Sequence, residues 1–150
     1  MNTVLEAILW ALGITLLAQG ISIGIMWLLG LPPKKLTAAI EDEQNPAVGA
    51  LFFIVALIVA LYLGLVGGDG YQSTGSNTED FLWIIGGVLL AVVFTAISFA
   101  IAYRVMTPIK GENFYQYLRR EIIVEQNVSL AFFLGALAIA PFMATVYQIL

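Results

Sequence analysis

Residues 43–66 read EQNPAVGALFFIVALIVALYLGLV, a short polar signal followed by a run without a charged residue. The polar part recurs as Glu125-Gln126-Asn127, directly before the apolar run from Val128 to Ile149. A helix of about 20 residues spans the roughly 30 Å hydrocarbon core of a bilayer. The stretch therefore predicts a membrane-spanning helix, and its recurrence predicts a second helix built in the same way.

The composition places the whole chain in a membrane. Of its 150 residues, 61% are hydrophobic and 11% are charged, and the mean hydropathy is +0.96. A soluble domain of this size has roughly a quarter of its residues charged. Cysteine and histidine are absent, so the usual zinc, haem and nucleophile–histidine arrangements have no side chains to use. We predict an integral membrane protein that is not an enzyme and has no cofactor and no metal site.

Four apolar runs predict an all-α protein with four transmembrane helices in a single domain, 1–150. The runs are Val4–Leu31, Pro46–Val66, Phe81–Met106 and Val128–Ile149. Leu31-Pro32-Pro33 is expected to end the first span, because proline cannot continue the helical hydrogen-bond ladder. Residues 67–80 form a loop rich in Gly, Ser and Thr.

The basic residues predict the orientation. All six lie in or beside the connections 32–45 and 107–127, whereas the middle loop and both termini have none: Lys34, Lys35, Arg104, Lys110, Arg119 and Arg120. Short loops rich in Lys and Arg remain in the cytoplasm. Both termini are therefore expected outside, and the protein is expected in the cytoplasmic (inner) membrane of a prokaryote.

The two Glu-Gln-Asn motifs, 82 positions apart, indicate an internal repeat. Pro32 and Pro108 close the preceding spans in the two halves. A unit with two spans keeps its orientation when it is duplicated. The fold is therefore expected to be two parallel two-helix repeats, about 4–66 and about 81–149, related by a pseudo-twofold axis along the membrane normal.

Small and polar residues predict how the helices associate. Helices in lipid pack closely through small residues, and the candidate packing positions are Gly13, Gly20, Gly24, Gly49 and Gly135. A polar face on the first span lies opposite its glycines, and with the third span it gives a candidate polar seam: Thr15, Gln19, Ser22, Thr95 and Ser98. Polar side chains are costly in lipid, so the first span is expected to pack on two sides, within the monomer and against another subunit.

The motifs have two interpretations. Asn45 and Asn127 stand where a helix N-cap is expected, and Asn is a favoured cap. Alternatively, Glu43, Asn45, Glu125 and Asn127 line one polar site where the halves meet, with the two carboxylates as an acid–base pair in the enzymatic version. Between the motifs, residues 113–125 predict an amphipathic helix lying on the inner leaflet.

These residues resemble the bacterial inner-membrane family catalogued as domain of unknown function 350. The family pattern in each half is roughly E-G-N-x-A-x-A-x-x-x-A-G. The two copies here read Glu43-Gln44-Asn45-Pro46-Ala47-Val48-Gly49-Ala50 and Glu125-Gln126-Asn127-Val128-Ser129-Leu130-Ala131, with Gln where the family has Gly. The resemblance implies a four-span fold and an inner-membrane location. It implies no reaction, since the activity of the family is undefined.

The leading functional prediction is a self-associating membrane component of a larger envelope assembly. Its expected partners are the bilayer and other copies of the chain, with a further membrane or cytoplasmic protein left open and no nucleic acid. The alternative is a small channel or permease that uses the polar seam along the first and third spans. The absence of an ionisable residue in the middle of any span disfavours an ion-coupled transporter.

Overall fold

The computed structural model describes residues 3–67, 75–106 and 110–149 and contains no strand within them. The helices are α1 (Thr3–Leu28), α2 (Pro33–Glu41), α3 (Pro46–Val66), α4 (Asn77–Val105), α5 (Phe114–Leu118), which continues as a π-helix over Arg119–Val124, and α6 (Val128–Ile149).

Four of these helices, α1, α3, α4 and α6, are long and apolar enough to cross a membrane. Large apolar side chains cover their outer faces, for example Leu16, Phe53, Leu89 and Phe132, each at least half exposed. Such a surface is far more apolar than soluble monomers tolerate. The all-helical, four-span prediction is therefore confirmed, and the helices indicate a multi-pass membrane protein.

The first span ends earlier than predicted, and glycine ends it rather than proline. Gly30 has a φ of +88°, which is the left-handed conformation that glycine adopts without a steric penalty. The amide of Gly30 donates to the Trp27 carbonyl and that of Leu31 to the Met26 carbonyl, both at 2.9 Å. These two bonds form a Schellman motif, which stops α1 at Leu28.

The predicted boundaries of α3 and α6 agree with the structure, whereas α4 begins four residues earlier than expected. Its first turn contains Glu79 and Asp80, which interact favourably with the positive end of a helix. Part of the predicted loop 67–80 is therefore helical. Residues 68–74 and Pro108 lie outside the described residues.

The first connection contains a helix that the sequence did not lead us to expect. Pro33 occupies the first turn of α2, where its missing amide hydrogen is not needed. Leu36 and Ala39 are buried, while Lys34 and Lys35 are exposed. The connection is thus an amphipathic helix packed on the bundle, and it carries its charges outward.

The α3–α6 pair forms the centre of the bundle. α1 packs on α3, and α4 packs on α6, so α1 and α4 are the two outer helices and do not pack extensively on each other. Ile54 of α3 lies so close to Gly135 of α6 that a Cβ at that glycine would stand 2.3 Å from the Ile54 Cγ2 atom. Of the five candidate packing glycines, Gly135 lies against a neighbour; a Cβ at Gly13, Gly20, Gly24 or Gly49 would meet nothing within 4 Å.

Candidate functional site

The two Glu-Gln-Asn motifs have the same backbone geometry. Gln44 and Gln126 are both left-handed, with φ of +49° and +52°, a conformation that residues other than glycine rarely adopt. The flanking amides bond at matching positions: Glu43 to the Ala38 carbonyl, Asn45 to Ala39, Glu125 to Arg120 and Asn127 to Glu121. Each motif therefore closes one helix and starts the next through the same turn.

Asn45 caps α3 as predicted and also joins the two connections. Its side-chain oxygen accepts hydrogen bonds from the amides of Ala47 (3.0 Å) and Val48 (3.1 Å). Its Nδ2 donates to the carbonyls of Ile122 (3.0 Å) and Ile123 (3.1 Å), 77 and 78 positions away. Asn45 is 2% exposed, and three of these contacts are buried, while the one to Ile123 is partly buried. The first motif is thereby fixed to the segment that leads into the second.

Asn127 caps α6 but has a different second partner. Its side-chain oxygen accepts from the Leu130 amide at 3.0 Å, and its Nδ2 donates to the Glu121 carboxylate at 2.8 Å. Both capping predictions are confirmed. The two turns differ in the partners of the side-chain Nδ2 group. The Nδ2 group of Asn45 bonds to the other connection, whereas that of Asn127 bonds within its own connection.

Arg120 is the centre of an ionic cluster next to the second motif. It contacts Glu112 through Nε (3.0 Å), and its Nη1 contacts Glu121 (2.6 Å) and Glu125 (2.7 Å). The hydrogen bonds that Arg120 donates to these carboxylates, to Glu112 first and then to Glu125, raise the pKa of Arg120 above its ordinary value. Its guanidinium also lies 5.6 Å from the centroid of the Tyr117 ring, within the range of a cation–π contact. The cluster therefore joins Glu112 to Glu121 and Glu125 through one side chain.

The apolar face predicted for residues 113–125 is buried against protein. Tyr117, Leu118 and Ile122 are buried, and Phe114 is partly buried. The Tyr117 hydroxyl donates to the Met106 sulfur at 3.1 Å, and burial, followed by the charge of Glu121, raises its pKa. The expected contact of this face with the inner leaflet is therefore replaced by packing on the end of the bundle.

The two motif carboxylates are in different environments. Glu125 is ion-paired with Arg120, whereas the Glu43 carboxylate is exposed and makes no hydrogen bond or ion pair within the described residues. An acid–base pair needs both carboxylates on one substrate. Within the described residues, the carboxylates of Glu43 and Glu125 make no contact with each other.

The residues of the candidate polar seam are not gathered into one path. The hydroxyls of Thr15, Ser22 and Ser98 donate to carbonyls of their own helices, those of Ala11, Ala18 and Phe94. Gln19 is exposed on α1, and Thr95 is buried on α4. Of the five residues, Thr95 lines the groove described next, and Thr15, Gln19, Ser22 and Ser98 do not.

A groove of about 600 Å³ lies between the outer helices, and its walls are almost entirely apolar. Ile25 and Leu29 line it from α1, Val55 from α3, Val92 and Ala96 from α4, and Ala138 from α6. The polar exceptions include Thr95, whose buried hydroxyl has no hydrogen-bond partner among the described residues, and Arg104 near the end of α4. The volume is within the range of about 300–1,000 Å³ usual for ligand sites.

The Arg120 cluster and the groove were both missed from the sequence. A π-helix changes which residues are neighbours, so Arg120 reaches Glu121 and Glu125 at spacings that an α-helix does not favour. The groove depends on how far apart α1 and α4 stand, which no local pattern encodes. The sequence does contain one signal for the cluster, which is the presence of Glu112, Glu121 and Glu125 near Arg120.

No family model, curated protein or solved structure matches this chain.

Proposed function

We propose that this chain is a non-enzymatic membrane protein that self-associates through α1 and serves as a membrane component of a larger envelope assembly. The observation that carries the proposal is Gln19. It is exposed on α1, nine residues before the end of that helix at Leu28, and its side-chain amide makes no hydrogen bond with any described residue. An uncompensated amide at this depth is unfavourable in lipid, and a second subunit would supply its partner.

The glycines of α1 support the same proposal, because Gly20 lies about 100° around the helix from Gln19 and one partner helix can contact both positions. Ser22 and Met26 are buried on the side that faces the bundle, whereas Gly13 and Gly20 are exposed. A Cβ at either glycine, or at Gly24, would meet nothing within 4 Å. Exposed small residues at this spacing allow two helices to approach closely in a membrane. The face is therefore suited to a second copy of α1.

The proposal includes the repeat and the location. The matching turns at Gln44 and Gln126 support a duplicated two-helix unit, and both glutamines have the left-handed φ that suits the glycine in the pattern of the resembled family. Membership of that family, an inner membrane, a prokaryotic source and cytoplasmic connections are inferred from the sequence patterns. The lack of histidine and cysteine and the engagement of Glu125 by Arg120 support a non-enzymatic role.

Replacing Gln19 by leucine should weaken self-association. Interhelical hydrogen bonds in membranes contribute about 0.6–2 kcal/mol, so the Gln19→Leu dimer should dissociate about 3- to 30-fold more readily. The measurement is energy transfer between labelled copies diluted with lipid in vesicles. Gln148→Leu is the matched control, since Gln148 is exposed near the end of α6 and should leave association unchanged.

A chain that stays monomeric in these vesicles at every protein-to-lipid ratio would contradict the proposal. So would equal effects of the two substitutions, because they would place the association away from the middle of α1.

A further inference from the structure

The groove has the length of one membrane leaflet. Its wall on α4 runs from Val92 to Arg104, a rise of about 18 Å. One leaflet of the hydrocarbon core is about 15 Å thick. Arg104 lies at the end of the bundle that carries α2 and α5, so the groove starts at that membrane surface and ends near the bilayer centre.

The rim of the groove has the chemistry of a headgroup site. Arg104 is exposed and makes no ion pair in the part of the chain that the structure describes, in contrast to Arg120. Tyr103 and Tyr115 line the same end, where aromatic residues favour the membrane–water boundary. A free cation at this position would attract an anionic group at the surface, while the walls below it accept only an apolar chain.

We propose that the groove binds one acyl chain of an anionic phospholipid, with the lipid phosphate at Arg104. The rim charge favours a lipid over a second copy of the chain, because the exposed guanidinium of Arg104 attracts the phosphate of an anionic lipid and the length of the apolar wall matches one leaflet. The inference does not depend on self-association, because every lining residue belongs to one chain.

The charge part of the proposal is tested by native mass spectrometry of the full chain released from vesicles of phosphatidylglycerol and phosphatidylcholine. The wild type should retain phosphatidylglycerol preferentially. Arg104→Gln should reduce that preference about fivefold, the factor that one basic residue contributes at an anionic surface. Arg119→Gln is the matched control, since Arg119 is exposed and does not line the groove. It should retain the preference.

The groove itself is tested by filling it. Ala96 is exposed and lines the groove, whereas Ala60 is exposed on α3 and does not. Ala96→Trp should abolish lipid retention without loss of helix content, and Ala60→Trp should leave retention unchanged. Thr95→Val should also leave it unchanged, because an alkyl chain offers the Thr95 hydroxyl no hydrogen bond.

Several results would overturn the proposal. Equal retention of the two lipids by the wild type, or equal effects of Arg104→Gln and Arg119→Gln, would remove the headgroup site. Loss of binding in Thr95→Val would show that the occupant carries a polar group at that depth. A protein that loses its dimer mass but keeps its lipid in Ala96→Trp would show that a second copy fills the groove. Because protein mass and lipid mass are read in one spectrum, failure here is distinguishable from failure of self-association.

Discussion

Asn45 and Asn127 occupy equivalent places in the two motifs, yet their side chains donate hydrogen bonds to different partners. Both accept hydrogen bonds from the first turn of a span. Asn45 alone of the two donates to backbone carbonyls of the opposite connection. Capping requires only an acceptor, whereas the bond between connections requires a donor. A substitution that keeps the acceptor and removes the donor therefore separates the two roles.

Asn45→Asp should destabilise the protein although aspartate is a good cap. The new carboxylate oxygen would face the carbonyls of Ile122 and Ile123 in a buried site, and a buried polar group without a partner costs about 1–3 kcal/mol. Unfolding in detergent, followed by circular dichroism, measures the change. Asn113→Asp is the control, because Asn113 is exposed and caps α5 through its oxygen.

If the two aspartate variants were equally stable, Asn45 would act as a cap alone. The difference in their free energies of unfolding therefore measures how firmly the two connections are joined.

At the residue scale, the sequence predicted the local contacts and not the distant ones. Asn45 and Asn127 were recognisable as caps because a cap depends on the three residues that follow it. The bond from Asn45 to Ile122 joins residues 77 positions apart, and no short-range pattern indicates it.

At the scale of helices, the α3–α6 pair is the tightest contact described. Gly135 allows it, because Ile54 occupies the space that a side chain at Gly135 would need. Gly64 of α3 offers the opposite case, since it is exposed and a Cβ there would meet nothing within 4 Å. The two glycines should therefore respond differently to the same substitution.

Gly135→Ala should destabilise the bundle by about 1–3 kcal/mol, the usual cost of overpacking a core. Gly64→Ala should be neutral or stabilising by up to about 1 kcal/mol, because alanine is the better helix former. Reversible unfolding of both variants in the same micelles checks the prediction. Equal stability of the two would mean that Ile54 can move aside at no cost.

Helices of membrane length were predictable, as was a helical segment over residues 113–125, whereas α2 was not. Twenty apolar residues in a row leave few alternatives in lipid, which is why the bounds of α3 and α6 were correct. α2 has nine residues, too few for its pattern to stand out from a polar connection. The predicted end of α1 at Leu31 was wrong because it was inferred from Pro32, whereas Gly30 ends the helix.

At the scale of the whole molecule, α1 is the least covered of the four spans. Only 11% of its most apolar window is buried within the monomer, compared with 39% for α3 and for α6. Its bundle side carries Ser22 and Met26, and its outer side carries the glycines. A helix that contacts the bundle along one face and has small residues on the other is suited to join two bundles.

Disulfide crosslinking in native membranes tests this claim most directly, since the chain has no cysteine of its own. Gly20→Cys places a thiol on the glycine face of α1, eight residues from the end of the helix at Leu28. Ala136→Cys is the control, because Ala136 is exposed and lies eight residues from the start of α6 at Val128. Self-association through α1 predicts a covalent dimer of Gly20→Cys that exceeds that of Ala136→Cys at equal expression. A Gly20→Cys protein that stays monomeric under oxidation, or that crosslinks no more than Ala136→Cys, would contradict it.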